Sequence, residues 1–359
     1  MSQITVPAGK FQRVFDYLRR IGLDTEAVGK SVNMSPERIA RLPPSELLPA
    51  QQYSRLYKEA VTQMQTLQQP LPWAAGVGSE AFDLMCHCMI SARTVGEALD
   101  LASRFEKLLY PLMLHNIKLF TDGPQARLSY RIRFSEEESP LVPEHWDRAG
   151  SQKTVARASG VLVWHALCGW LVGQPLETQE VQVAAPYLND DYQQSLASVF
   201  RCPIHFDTQE NCLLFNAEQL QRRLVHTVDS LRKFLDDAVY QLIAIDRQPA
   251  STSAAIKSLI SIDLAGGLPS FTTISEHLHM SESSLRRRLQ KENTSYQSLK
   301  DQVRCQVAID KLLNEQAKVA DLSEFLGFTE PSSFVRSFKA WTGETPRSYR
   351  DKMQALASS

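Results

Sequence analysis

Residues 319–341 read VADLSEFLGFTEPSSFVRSFKAW, and their spacing decides the fold of the C-terminal part of the chain. Leu322 and Leu326 stand four apart and face one side of a short helix. Gly327 follows, where a tight turn between two helices needs backbone freedom. Thr329 is the candidate cap of the next helix, with Pro331 in its first turn. Phe334, Phe338 and Trp341 face a core, which leaves Ser332, Val335, Arg336 and Lys339 pointing outward. A helix, a turn and a second helix with a polar, basic outer face is the pattern of a helix-turn-helix.

The same pattern stands upstream. Residues 273–289 read TISEHLHMSESSLRRRL. Ile274 and Leu278 face inward, Met280 and Ser281 make the turn, and Ser281 caps a helix that buries Leu285 and Leu289. Ser283, Arg286, Arg287 and Gln290 lie on its outer face. Between the copies, Tyr296 to Asn314 reads as one helix of about 28 Å at 1.5 Å per residue. Successive major grooves on one face of DNA lie about 34 Å apart, so this strut suits two recognition helices in adjacent grooves. A helix fits the major groove, arginine donates bidentate hydrogen bonds to guanine, and serine and lysine suit phosphate or base contacts. The plain alternative is a pair of helical hairpins with solvated outer faces. Two copies, each with its turn and cap, favour binding to double-stranded DNA.

Residues 327–350, GFTEPSSFVRSFKAWTGETPRSYR, resemble the signature of the AraC/XylS transcriptional regulators. The resemblance covers about 100 residues, Ser253 to Lys352. It implies an all-α C-terminal domain with two helix-turn-helix motifs joined by a long helix, and a sequence-specific regulator that acts with RNA polymerase. The family's base-reading positions match Ser283, Arg286 and Arg287 in the first motif, and Pro331, Ser332, Val335 and Arg336 in the second. Other members carry bulkier or amide side chains at several of these places, so Ser283 and Pro331 are poor readers and specificity rests on the arginines. The N-terminal part resembles, more loosely, the "arabinose-binding" type of AraC regulatory domain in its ornithine-regulator-like subgroup. Thr94-Val-Gly-Glu-Ala-Leu and Phe200-Arg-Cys-Pro-Ile-His-Phe carry that match. It implies a small-molecule effector, and no effector-binding residue is carried over.

The residues of the N-terminal part predict an α+β domain over 1–220. Residues 1–110 read as helices, with Val14, Phe15 and Leu18 at helical spacing. The Leu42-Pro-Pro-Ser-Glu break offers a cap for the next helix, and Thr94-x-x-Glu is a capping box. The period then changes: 112–120 and 126–134 form a hairpin around Thr121-Asp-Gly-Pro, with Leu128, Tyr130, Ile132 and Phe134 on the buried side. Short strands are expected at 179–184 and within 202–215. Leu224, Val228, Leu231, Leu235, Ala238, Leu242 and Ile245 predict one helix over 222–246, a candidate dimerisation helix, ended by a linker at 247–253. The division is therefore 1–220, a linker helix and linker over 221–252, and a DNA-binding domain over 253–359.

The 359 residues hold 39 Lys+Arg and 40 Asp+Glu, a net charge of −1 that argues against nucleic acid only while the chain is summed whole. Residues 250–359 hold 14 Lys+Arg and 12 Asp+Glu against 25 and 28 elsewhere, with the positives clustered at Arg286, Arg287, Arg288 and Lys291. Six cysteines are too few for a disulfide scaffold, and the start shows no secretory signal. The apolar run Ala158 to Gly173 is shorter than the roughly 20 residues of a spanning helix and reads as a core helix. The expected setting is the cytoplasm.

Other clusters have bland readings. Cys86-His-Cys lacks a second pair at zinc-like spacing, so no metal and no cofactor is expected. His145, His165 and His205 read as partly buried histidines, and Glu136 to Glu138 as a solvated loop. No nucleophile elbow, P-loop, dinucleotide fingerprint or methyltransferase motif occurs, which argues against an enzyme. Trp164, Trp170, Phe105, Tyr110 and Met113 are candidates to line an effector pocket or simply to pack a core. Three readings follow: an activator controlled by a small effector, a regulator controlled by a protein partner or by abundance, and an enzyme fused to a DNA-binding tail.

Overall fold

A computed structural model describes residues 4–66, 74–109, 114–133, 148–246, 252–261, 268–278, 280–314 and 317–351. Contacts divide the chain into two units, Ser2–Ala250 and Ser251–Ser359. The first unit opens with β1 (Thr5–Pro7), α1 (Ala8–Arg20), α2 (Thr25–Ser31), α3 (Pro36–Arg41), β2 (Leu47–Pro49) and α4 (Ala50–Thr66). It continues with α5 (Glu80–Met89), α6 (Val95–Leu108), β3 (His115–Asp122), β4 (Gln125–Ile132), α7 (Arg148–Val172), β5 (Thr178–Gln182), α8 (Asp190–Phe200), β6 (Ile204–His205), β7 (Cys212–Asn216), α9 (Val228–Asp236) and α10 (Ala238–Asp246).

The first 66 residues build their own core around Phe11, Phe15, Leu18, Leu56 and Met64, with Phe11 edge-on to Tyr53 at 5.3 Å. This region is not purely helical, because β1 pairs antiparallel with β2. The Leu42–Glu46 break also works differently from its reading. It caps α1 rather than the following helix: the α1 amides of Ala8 and Gly9 donate to the carbonyls of Glu46 and Pro44 at 2.7 and 2.9 Å. Those are donors that the first turn of a helix cannot satisfy internally.

The second core surrounds a five-stranded sheet of order β3-β4-β7-β5-β6, antiparallel except for β5 with β6. The predicted hairpin is β3 and β4, longer toward the turn than its sequence pattern, since Asp122 still pairs with Gln125 across Gly123-Pro124. Leu128 and Tyr130 are buried as the alternation requires, Ile132 is half-buried, Ser129 between Leu128 and Tyr130 is buried too, and Leu112 and Phe134 lie outside the described residues. α7 covers the sheet. Its segment Ser151–Val172 is long and apolar enough to cross a membrane, and 78% of that window is buried in the fold, as a core helix requires. Gly160 lets Tyr130 lie against α7, because a Cβ there would stand 2.1 Å from the ring. The box before α6 is half formed as read. Thr94 Oγ1 accepts from the Glu97 amide at 3.3 Å, while the Glu97 carboxylate takes the Arg93 amide at 2.8 Å.

The single helix expected over 222–246 is two. Residues 222–227 are not helical, and Thr227 caps α9 in a box with Ser230. The break falls at Asp237, with φ −142° and ψ 38°. α4 serves the freed groups: Ser54 Oγ accepts from the Tyr240 amide at 3.2 Å, and Lys58 Nζ donates to the Leu235 and Asp236 carbonyls at 3.5 and 3.4 Å. α10 then buries both sides. Ala238, Leu242 and Ile245 join the sheet core, while Val239, Tyr240 and Ile243 pack on the first core. Of the apolar stripe read as a candidate dimerisation surface, Leu231, Leu235, Ala238, Leu242 and Ile245 are buried within their own unit, Leu224 is half-buried and Val228 is 48% exposed.

The second unit has helices and no strand among its described residues: α11 (Thr252–Ser261), α12 (Phe271–His277), α13 (Glu282–Lys291), α14 (Tyr296–Asn314), α15 (Val319–Phe325) and α16 (Pro331–Thr342). Thr252 and Ser253, read as linker, are the first turn of α11. Their amides donate to the Glu292 carboxylate at 2.8 Å each. Burial raises the pKa of that carboxyl, but the hydrogen bonds from Ser253 and Thr252 outweigh it and the net shift is downward. Residues 247–251 lie outside the described residues.

Candidate nucleic-acid interface

The two motifs place their first helices and turns alike. In the first, Ile274 is buried and Leu278 half-buried on α12, and the Met280 amide closes the turn on the Ser275 carbonyl at 2.9 Å. In the second, Leu322 and Leu326 are buried, and the Phe328 amide closes on the Ser323 carbonyl at 2.9 Å. Gly327 has φ +72°, the left-handed conformation its position predicts.

The second helices of the two motifs begin differently. Ser281 caps α13, its Oγ accepting from the Ser284 amide at 3.3 Å. α16 starts one residue later than this pattern repeats, so its N-cap is Glu330, not Thr329, and no side chain caps it. Pro331 at N1 has no amide to satisfy, and the amides of Ser333 and Phe334 turn to the Glu330 carbonyl at 3.1 and 3.4 Å. Leu285 and Leu289 anchor α13, and Phe334 and Phe338 anchor α16; each is at most 2% exposed. Trp341 is half-buried at the edge of this core, 6.2 Å from Phe328 between ring centres.

With those anchors fixed, the helical period puts the predicted readers outside. Ser283, Arg286, Arg287 and Gln290 are exposed on α13, and Arg288 beside them is exposed too. On α16, Pro331, Ser332, Arg336 and Lys339 are exposed, and Val335 is half-buried. Among the described residues no carboxylate forms an ion pair with Arg286, Arg287, Arg288, Arg336 or Lys339, so their charge faces solvent. Arg286 lies over the Phe271 ring of α12, 5.4 Å from its centre, and Arg336 donates to Ser333 Oγ at 3.3 Å. The 19 residues of α14 join the two motifs, a span of about 28 Å.

Sequence reasoning missed the supports of this face. Phe271 shows no sign of its role, because an aromatic residue at the start of a short helix reads as core. Arg304, on α14, donates from Nε to the Leu326 carbonyl at 3.1 Å and lies 4.8 Å from the centre of the Phe328 ring. A single arginine on a mixed helix gives no periodic signal.

The remaining candidate sites are dispersed or buried. Cys86 is buried on α5 and His87 and Cys88 exposed, all six cysteines are free, and no group of three or more His, Cys, Asp or Glu residues is arranged to hold a metal among the described residues. His165 is buried, its Nε2 3.1 Å from the Leu176 carbonyl, and the side chain of His205 is 55% exposed. Trp164 is buried in the core, and Trp170 is stacked between His226, at 4.0 Å, and Phe234, at 4.1 Å. Phe105 is half-buried, and Tyr110, Met113, Glu136 to Glu138 and His145 lie outside the described residues.

Comparison with known proteins matches both units. Residues 22–224 match the N-terminal arabinose-binding domain of AraC transcription regulators, and residues 274–352 match a helix-turn-helix domain. The chain is 23% identical over 347 residues to the ornithine utilization regulator of Pseudomonas aeruginosa, covering 96% of each chain. The regulator VqsM of the same organism is 37% identical over 83 residues, which is 23% of this chain and 26% of that protein. The virulence regulon transcriptional activator VirF of Shigella flexneri is 36% identical over 76 residues, 21% of this chain and 29% of that protein. The crystal structure of the regulator CdpR from Pseudomonas aeruginosa aligns over 98% of this chain and 100% of that chain at 20% identity, with a TM-score of 0.31.

Proposed function

The chain belongs to the AraC family of transcription regulators with an arabinose-binding type of N-terminal domain, and on that premise we propose that it reads promoter DNA with α13 and α16 under the control of a small-molecule effector. Its relatives are DNA-binding transcriptional regulators and not enzymes. On this reading Ser283, Arg286, Arg287 and Gln290 enter one major groove, and Pro331, Ser332, Val335, Arg336 and Lys339 the next. The observation that carries it is the pair of outward basic faces on helices whose opposite faces are anchored by Leu285, Leu289, Phe334 and Phe338. Arginine supplies the bidentate guanine contacts, and the remaining polar groups set the register on phosphates.

The description of the N-terminal match supports a small-molecule effector, which on this reading is bound within 1–220 and acts through 221–252 on the DNA-binding domain at 253–359. We take the chain to act in the cytoplasm as an activator that contacts RNA polymerase and works as a homodimer, as two-fold DNA half-sites favour. An effector shifts the DNA-competent state only by its differential affinity for the two states. One observation favours the second reading, control by a protein partner or by abundance: Trp164 and Trp170, two of the aromatic residues offered as pocket lining, are buried in the core at 1% and 5% exposure.

The test has two arms. Duplexes selected from a randomised pool by the full chain should show a recurrent motif spanning two grooves; an unenriched pool removes the DNA reading. Thermal unfolding with arabinose, ornithine, other amino acids and fatty acids should show one compound raising Tm, since a ligand of the folded state stabilises it. No shift with any of them favours the second reading.

A further inference from the structure

We propose that Arg304 is a positioning residue for DNA recognition: from the connecting helix it fixes the turn of the second helix-turn-helix and so sets the pose of α16 before DNA arrives. The inference rests on the reading of α16 as a recognition helix. The Leu326 carbonyl lies at the C-terminal end of α15, where helix carbonyls have no partner within the helix. Arg304 Nε donates to it at 3.1 Å. The same guanidinium lies 4.8 Å from the centre of the Phe328 ring, one residue past the Gly327 turn. Phe328 in turn packs on Phe334 and Trp341 of α16, at 5.7 and 6.2 Å between ring centres. One side chain of α14 thus holds the last carbonyl of α15 and the first aromatic contact to α16.

Arginine suits this place and lysine does not. The planar fork hydrogen-bonds at its edge and covers a ring with its face, whereas an ammonium on a flexible stem does one or the other. A Cβ on Gly327 would stand 3.7 Å from Arg304 Nη2, an ordinary contact, so glycine serves the left-handed turn and does not make room for the arginine. Arg304 is half-buried, and burial lowers its pKa while Asp301 opposes the shift. The first motif is held by other devices: the Glu292 carboxylate accepts from the α11 amides, and the Tyr296 hydroxyl donates to the Pro269 carbonyl. Loss of Arg304 therefore acts on one motif only.

The test uses the full chain and duplexes that the wild type has selected from a randomised pool. Hydroxyl-radical footprinting of Arg304→Ala and Arg304→Lys should keep protection over the groove read by α13. The concentration needed to protect the α16 groove should rise roughly ten- to a hundredfold for alanine, with lysine between alanine and wild type. Equal weakening over both grooves, or none, with helical content intact by circular dichroism, overturns the role. Where Arg304→Ala does not fold, Arg304→Lys decides the matter, since it keeps the charge and the stem and loses only the planar fork: it should weaken the α16 groove alone, and equal weakening of both grooves, or none, overturns the role. A wild-type footprint over a single groove would instead remove the two-helix reading, and this inference with it.

Discussion

The guanidinium of Arg286 lies 5.4 Å from the centre of the Phe271 ring, so the preceding helix of the motif holds the arginine expected to read a base. A preplaced guanidinium loses less freedom on binding than a free one. Arg286→Ala should weaken specific DNA binding by about 1–3 kcal/mol and relax preference at one base pair. Phe271→Ala, which leaves the charge and removes the ring, should cost about 0.5–1 kcal/mol. Gel-shift titration of both variants checks this, and Phe271→Ala equal to Arg286→Ala would mean that the ring holds up the motif rather than the arginine.

Salt separates phosphate contacts from base contacts. Arg287 and Lys339 are exposed without a carboxylate ion partner among the described residues, and each that neutralises a phosphate releases a counterion. The logarithm of affinity should fall linearly with the logarithm of salt concentration, and Arg287→Ala or Lys339→Ala should reduce the slope by about 1. A slope unchanged in both variants would assign them no phosphate.

The parts of the interface differ in how legible they are in the sequence. Ile274, Leu285, Leu322 and Phe334 are spaced by helix geometry alone, and Ser281 and Gly327 act within their own turns, so local pattern finds them. The turn before α16 holds one residue more than the first, and a proline at N1 moved the cap from Thr329 to Glu330. The groups beside the break at Asp237 are met by Ser54 and Lys58 on α4, far away in sequence, and periodicity over 222–246 carries no trace of them. β1 and β2 are three residues each, too short to show an alternation. Arg304 and Phe271 act through geometry between helices, which no window of sequence contains.

Packing between α7 and the sheet depends on one missing side chain. A Cβ on Gly160 would lie 2.1 to 2.5 Å from Cε1, Cζ and the hydroxyl of Tyr130, which is itself 2% exposed. Alanine gains about 1 kcal/mol over glycine in a helix, but overpacking a core costs about 1–3 kcal/mol. Gly160→Ala should lower the stability of the N-terminal unit, and Tyr130→Val should then cost less in its presence than alone. Urea unfolding of the four chains of this cycle measures the coupling; additive effects would show that Tyr130 moves aside freely.

Acid should loosen the N-terminal unit through His226. Its ring stacks on Trp170 at 4.0 Å and 8° between planes, with Nδ1 3.3 Å from Ser230 Oγ. Burial pushes its pKa down from 6.5 to about 3, against a smaller opposing effect of the Trp170 backbone. The folded state therefore prefers the neutral ring, while the unfolded chain takes up a proton near pH 6.5. Well above pH 6.5 the residue sets no pH dependence, and at pH 6.5, where the unfolded ring is half-protonated, the dependence has half its full slope. Well below it, stability falls by about 1.4 kcal/mol per pH unit until the folded pKa near 3 is reached. Between pH 6.5 and 5 that amounts to about 2 kcal/mol. Other groups also titrate there, so the measurement is the stability difference between wild type and His226→Phe, which keeps an aromatic stack on Trp170 and cannot be protonated. That difference should shift by about 2 kcal/mol in favour of the variant as pH falls from 6.5 to 5. A difference that stays constant across the range would mean that the ring is charged in the fold or that water reaches it.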